Sequence, residues 1–197
     1  TGSGGLVNTR YATGILDALR AEGSIRVNEE LAGVYEAWCA EHPFDKGKGW
    51  GQEPWSQEEM PLDDKTAARA AQVSDAALVI IGRTAGEDQD TKAEPGSYLL
   101  TDKEKAMIRT VSRHFARTAV LLNVGNIIDM KWVEDCAPSA VLYVWQGGME
   151  GGTGAADVLT GRVSPCGKLS DTIAASIEDY PSTAGFGDPY ENIYAED

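Results

Sequence analysis

The chain has 197 residues, 42% of them hydrophobic and 24% charged, enough for one domain with a proper core. Asp and Glu number 31 against 17 Lys and Arg, and the net charge of −14 excludes a nucleic-acid backbone or an anionic membrane surface as partner while leaving neutral ligands open. Two His and three scattered Cys argue against a metal site, and no apolar run reaches the roughly 20 residues of a membrane span.

Tyr11, Ile15, Leu16 and Leu19 fall at helical spacing and predict a first helix over residues 10–21. A second starts at about Asn28, with Glu29 and Glu30 in its first turn, where carboxylates suit the helix dipole. Leu31, Val34, Tyr35 and Trp38 supply its apolar face. Residues 43–61, with Gly47, Gly49, Gly51 and Pro54, read as a long surface loop. A loop of that length fits function better than plain connection. Its Trp50 and Trp55 suit either a sugar-stacking platform or packing beneath the loop. The acidic set Glu53, Glu58, Glu59, Asp63 and Asp64 reads as a solvated face, and Asp63 or Asp64 can cap a helix running to about Val73.

The rhythm then changes. Residues 76–81, 119–124 and 140–145 are continuous apolar runs, as expected of strands in a parallel sheet covered by helices on each side. Between the first two lies a helix over 103–115, capped by Thr101 or Asp102. A short helix around 130–136 and another over 151–159 follow. The alternation predicts an open, doubly wound α/β domain.

Cys39, Cys136 and Cys166 form no CxxC pair and read as buried or half-buried free thiols of a reducing, cytoplasmic compartment. His42 and His114 read as surface or packing residues. No Gly-x-Ser-x-Gly nucleophile motif occurs.

In open α/β sheets ligands bind beyond the carboxyl ends of the strands. Three loops qualify: residues 83–90, 125–129 and 146–152. The third is glycine-rich, yet it lacks a Gly-Lys-Ser/Thr ending, and Glu150 stands where a phosphate would sit. Tight strand-to-helix packing explains its small residues. In the first loop Glu87 follows Gly86 at a strand end, read either as a solvated charge or as a general acid. Asp88 and Asp90 would raise its pKa through like charge, as a general acid requires.

Taken in order, Ile81-Gly82-Arg83-Thr84-Ala85-Gly86-Glu87 to Asp90, Leu99-Leu100-Thr101-Asp102, Val120-Leu121-Leu122-Asn123-Val124-Gly125, Val144-Trp145-Gln146-Gly147-Gly148, Ala156 to Gly161 and Ser164 to Leu169 resemble the second domain of glycoside hydrolase family 3, which includes β-glucosidases. The opening Thr1-Gly2-Ser3-Gly4 resembles a family loop as well. The resemblance implies an open three-layer α/β/α sandwich with a mostly parallel, flavodoxin-like sheet that lacks its first strand. It implies a sandwich over residues 1–185 and a linker over 186–197. It implies a partner (β/α)8 barrel domain of the same parent protein carrying an Asp nucleophile, and a β-glucoside or related oligosaccharide as substrate.

The family's Ser-Gly-Glu-Gly-x-Asp acid/base loop aligns with residues 85–90, so Glu87 inherits the acid/base role and Asp88 replaces the Gly that follows it. Ser3 inherits a hydrogen bond to the sugar. No cofactor and no metal are implied. The chain is then half of an active site, inactive without its barrel. The alternatives are a non-catalytic α/β carbohydrate-binding or interaction module and, further off, a flavodoxin-like nucleotide binder.

Overall fold

The structure is a computed structural model and describes residues 10–49, 51–84, 89–186 and 190. Among them the elements run α1 (Ile15–Ala21), α2 (Glu29–Glu41), α3 (Asp64–Ala71), β1 (Ala77–Gly82), α4 (Asp102–His114), β2 (Thr118–Asn123), α5 (Trp132–Cys136), β3 (Ala140–Tyr143) and α6 (Gly151–Leu159). Short 3-10 turns follow at Ile177–Asp179 and Pro181–Gly185.

The three strands form one parallel sheet in the order β1-β2-β3, with Ile80 opposite Leu121 and Leu121 opposite Leu142. The sheet is open and the fold is α/β. Alternate side chains divide its faces. Val79, Ile81, Val120, Leu122 and Val124 point to the core that α4 and α5 close with Met107, Ile108, Val111, Trp132 and Cys136. Six of these core residues are 2% exposed or less, enough buried apolar surface to hold the sheet against the helices. On the opposite face Leu121 is fully buried, but Leu78 and Ile80 at the β1 edge are each 40% exposed. The helical cover expected on both faces therefore does not extend over β1 among the described residues. There β1 pairs only with β2.

Local signals set the helix starts. The Asn28 side chain accepts from the Leu31 N–H at 3.2 Å, and Asp63 accepts from the Thr66 N–H at 2.8 Å. Thr101 and Glu104 form a reciprocal capping box: the Glu104 N–H donates to the Thr101 hydroxyl at 3.1 Å, and the Thr101 N–H donates to Glu104 at 2.7 Å.

Three expectations need correction. The first helix begins at Ile15, not near Arg10, because the residues before it bond to the turn ahead of α6: the Thr13 N–H donates to the Met149 carbonyl at 2.8 Å. Val34 is exposed, while Leu31 and Tyr35 pack on the core, so α2 uses a narrower face than its apolar spacing suggests. Cys39 and Cys166 are exposed, and only Cys136 is buried; all three are free thiols.

Candidate functional site at the carboxyl ends of the strands

Glu87 and Asp88 lie outside the described residues, as do Ser3, its neighbours in the opening loop and Trp50. The residues flanking 85–88 and those from Arg10 onward are described, and they converge on the carboxyl ends of β1, β2 and β3. The site is built from them.

Arg83 directly follows β1. Its guanidinium turns inward and forks onto Glu104, with nitrogen-to-oxygen distances of 2.6 and 3.0 Å. The same group donates to the carbonyls of Gly82, Ser97 and Leu99. A five-donor planar group suits this task, since it satisfies a carboxylate and several carbonyls at once. One side chain thus joins the end of β1, the turn at 94–99 and the start of α4.

Thr84 is bound by the long loop ahead of α3. Its N–H donates to the Trp55 carbonyl at 2.9 Å, and its hydroxyl donates to the Pro54 carbonyl at 3.0 Å. On the far side of positions 85–88, the Gln89 amide donates to the Glu53 carbonyl at 2.9 Å. Thr91 accepts from Asn126 at 2.9 Å, which ties this segment to the loop after β2. Trp55, Thr84, Thr91, Gly125 and Asn126 line a shallow cleft there.

The 53–56 segment also covers the neighbouring turn. Gly96 has φ +87°, a conformation open mainly to glycine, and a Cβ on it would stand 2.5 Å from the Ser56 hydroxyl.

The loop after β2 is tied to β3, for the Ile128 N–H donates to the Tyr143 hydroxyl at 3.1 Å. Burial pushes the Tyr143 phenol up from its ordinary pKa. Tyr98 is shifted up too, first by burial and then by the Tyr180 hydroxyl beside it. Trp145, just past β3, has φ +50°, a sparsely populated conformation for a bulky residue, and its ring lies 4.8 Å from that of Tyr143.

The third loop holds the chain that follows the opening Thr-Gly-Ser-Gly. The Tyr11 hydroxyl donates to Glu150, and the Thr153 hydroxyl donates to the second oxygen of the same carboxylate at 2.9 Å. These bonds hold the Glu150 carboxyl below the usual carboxylate range. The Gly152 N–H donates to the Thr13 carbonyl at 3.2 Å. The small residues of this loop therefore serve close packing, with Glu150 engaged by two hydroxyls.

Sequence reasoning missed several of these residues. Glu104 was legible as the fourth residue of a Thr-x-x-Glu capping pattern, though its bond to Arg83 was not. Glu59, counted with the solvated acids, is half-buried, and burial pushes its carboxyl up to about 7. Glu58 and Asp64 of that stretch behave as expected on a surface: Glu58 pairs with Lys103 at 2.8 Å, and Asp64 with Arg113 at 2.9 Å. His42 stacks on Trp38, and His114 bonds Asp64, so both are packing residues. Among the described residues no cluster of three or more His, Cys, Asp or Glu is placed to hold a metal, and no helix is long and apolar enough to cross a membrane.

The model of the glycosyl hydrolase family 3 C-terminal domain matches residues 1–197. A beta-glucosidase of Ruminococcus albus is 58% identical over 197 residues, covering 100% of this chain and 21% of that relative. The crystal structure of a beta-glucosidase from Paenibacillus barengoltzii superposes with a TM-score of 0.94 at 56% identity, over 98% of this chain and 21% of that one. Beta-glucosidase 3B from Thermotoga neapolitana in complex with glucose gives 0.83 at 34% identity, over 97% of this chain and 27% of that one. The chain thus spans about a fifth to a quarter of the length of these proteins.

Proposed function

The chain belongs to the glycosyl hydrolase family 3 C-terminal domain family, and on that premise we propose that it is the acid/base-contributing domain of a retaining β-glycosidase of β-glucosidase type. Glu87 protonates the leaving glycosidic oxygen and then, as a carboxylate, takes the proton from the water that releases the sugar. Retaining chemistry needs a second carboxylate about 5–5.5 Å away as nucleophile. The family implies an Asp on a (β/α)8 barrel of the same parent protein for this role; Asp88 and Asp90, which share one short segment with Glu87, cannot flank the opposite side of a sugar ring. Ser3 hydrogen-bonds the bound β-glucoside or related oligosaccharide. Residues 1–185 form the domain, and 186–197 lead towards a following one. Three unpaired thiols suit a reducing, cytoplasmic setting.

One observation carries this reading most directly. Glu87 stands five residues past the end of β1, and its neighbours Arg83, Thr84, Gln89 and Thr91 are all bonded at the carboxyl edge of the sheet, where ligands of open α/β domains bind.

The test is Glu87→Gln in the full-length protein, with kcat/KM, which reports the first glycosyl-transfer step and not the later base-assisted hydrolysis, measured on β-glucosides with poor and with highly activated leaving groups. Loss of a general acid costs about a hundredfold to ten-thousandfold where the leaving group needs protonation, and far less where it does not. Equal losses on both substrates, or none, would reject the role. The chain by itself is expected to turn over neither substrate; robust Glu87-dependent turnover by it would reject the shared site.

A further inference from the structure

The carbonyls of Glu53, Pro54 and Trp55 are consecutive, and each accepts a hydrogen bond from a residue flanking positions 85–88. Trp55 and Pro54 accept from the Thr84 N–H and hydroxyl, and Glu53 accepts from the Gln89 side-chain amide. We propose that residues 53–55 act as a strap across both flanks of the Glu87 segment, and that Thr84 and Gln89 are positioning residues for acid catalysis. This rests on the acid/base reading of Glu87.

The physical argument is one of constraint. A free connection leaves its central residue to sample a volume set by its length, whereas fixing both ends removes most of that freedom. Anchoring Thr84 and Gln89 therefore bounds where the carboxyl can be. Small misplacements matter in such chemistry, since about 1 Å can cost on the order of a hundredfold in rate.

The strap is itself held. Ser56, the next residue, sits over Gly96 at the turn whose Ser97 and Leu99 carbonyls bind Arg83. One residue further on, the Gln57 amide oxygen accepts from the Asp45 N–H at 2.7 Å, closing the long loop on itself. The acceptors are backbone carbonyls, so side-chain identity at 53–55 is free to vary while the function stays with the donors.

The test is the pair Thr84→Val and Gln89→Met, which remove the side-chain donors with little change of shape, made singly and together in the full-length protein. Thr84→Ser, which keeps the hydroxyl, is the rescue control. Backbone hydrogen exchange over 84–90 is expected to quicken in the double variant while α4 is unchanged. The kcat/KM on poor leaving groups should fall about tenfold to a hundredfold, that on activated glycosides should be nearly unaffected, and Thr84→Ser should behave as the parent. Unchanged exchange would overturn the strap. Faster exchange with equal losses on both substrates would overturn its role in positioning. Glu87→Gln in the same assays separates the two failures: if it also spares poor leaving groups, the acid/base reading falls, and the exchange result alone decides whether the strap exists.

Discussion

Arg83 and Glu104 meet in a two-pronged ion pair whose side chains are only 3% and 6% exposed. Such a pair adds little compared with apolar residues of the same shape, because both charges were desolvated to form it. Breaking it is another matter, since one charge is then left alone in the interior. Arg83→Met is expected to cost about 3–5 kcal/mol. Adding Glu104→Gln should restore part of that loss, because the amide keeps an acceptor for the Thr101 N–H and carries no charge. Denaturant unfolding of the two single variants and the double decides the matter. A double variant as unstable as the sum of the singles would show that the two groups are not coupled.

Gly152 is the second residue of α6, where the chain after the opening loop docks. A Cβ there would stand 2.4 Å from the carbonyl oxygens of both Thr13 and Gly14, and these atoms are backbone and cannot swing aside. Gly152→Val should push residues 11–14 off the turn, break the bond from Gly152 to Thr13, and separate Tyr11 from Glu150. A stability loss of about 1–3 kcal/mol is expected from forced overpacking. The Glu150 carboxyl should also rise towards its ordinary pKa as its Tyr11 partner leaves. Carboxylate titration by NMR reads this directly, and an unmoved Glu150 would show that the docking survives.

Why some of this was legible in the sequence and some was not follows from the range of the interactions. Residues 76–81 and 119–124 announced strands because each is a continuous apolar run, and the register confirms them to within a residue, although only β2 is buried on both faces among the described residues. Thr101 and Asp63 announced helix starts because a cap is a contact over three residues. The start of α1 was misread because Tyr11 has helical spacing, while its conformation is set by Glu150 and Met149 far along the chain. Arg83 reads as a solvated loop cation in isolation; what buries it is a carboxylate on α4 and three carbonyls from two other segments. The 53–55 strap leaves no sequence signature at all, for its acceptors are main-chain atoms that every residue carries.

Glu59 gives the molecule a pH dependence in a window where carboxyls are ordinarily silent. Burial is the main cause of its rise to about 7 from an ordinary 4.5; the nearby Glu104 adds to it, while the Met60 N–H, which donates to Glu59 at 2.9 Å, and Lys103 oppose it. Between those two values the folded chain holds a proton that the unfolded chain has released. The contribution of Glu59 to stability is therefore most favourable below about pH 4.5, falls as the pH rises, and reaches its full deficit above about pH 7. The deficit is at most about 3 kcal/mol. Glu59→Gln keeps the shape and cannot ionise, so its advantage over the parent should be small at pH 5 and grow steadily to pH 8. The Tyr35 phenol, raised first by burial and then by the Glu59 charge, should fall towards its ordinary value in the same variant. Urea midpoints of parent and variant at pH 5, 6, 7 and 8 measure this, and parallel pH profiles would mean that Glu59 ionises as freely in the fold as in water.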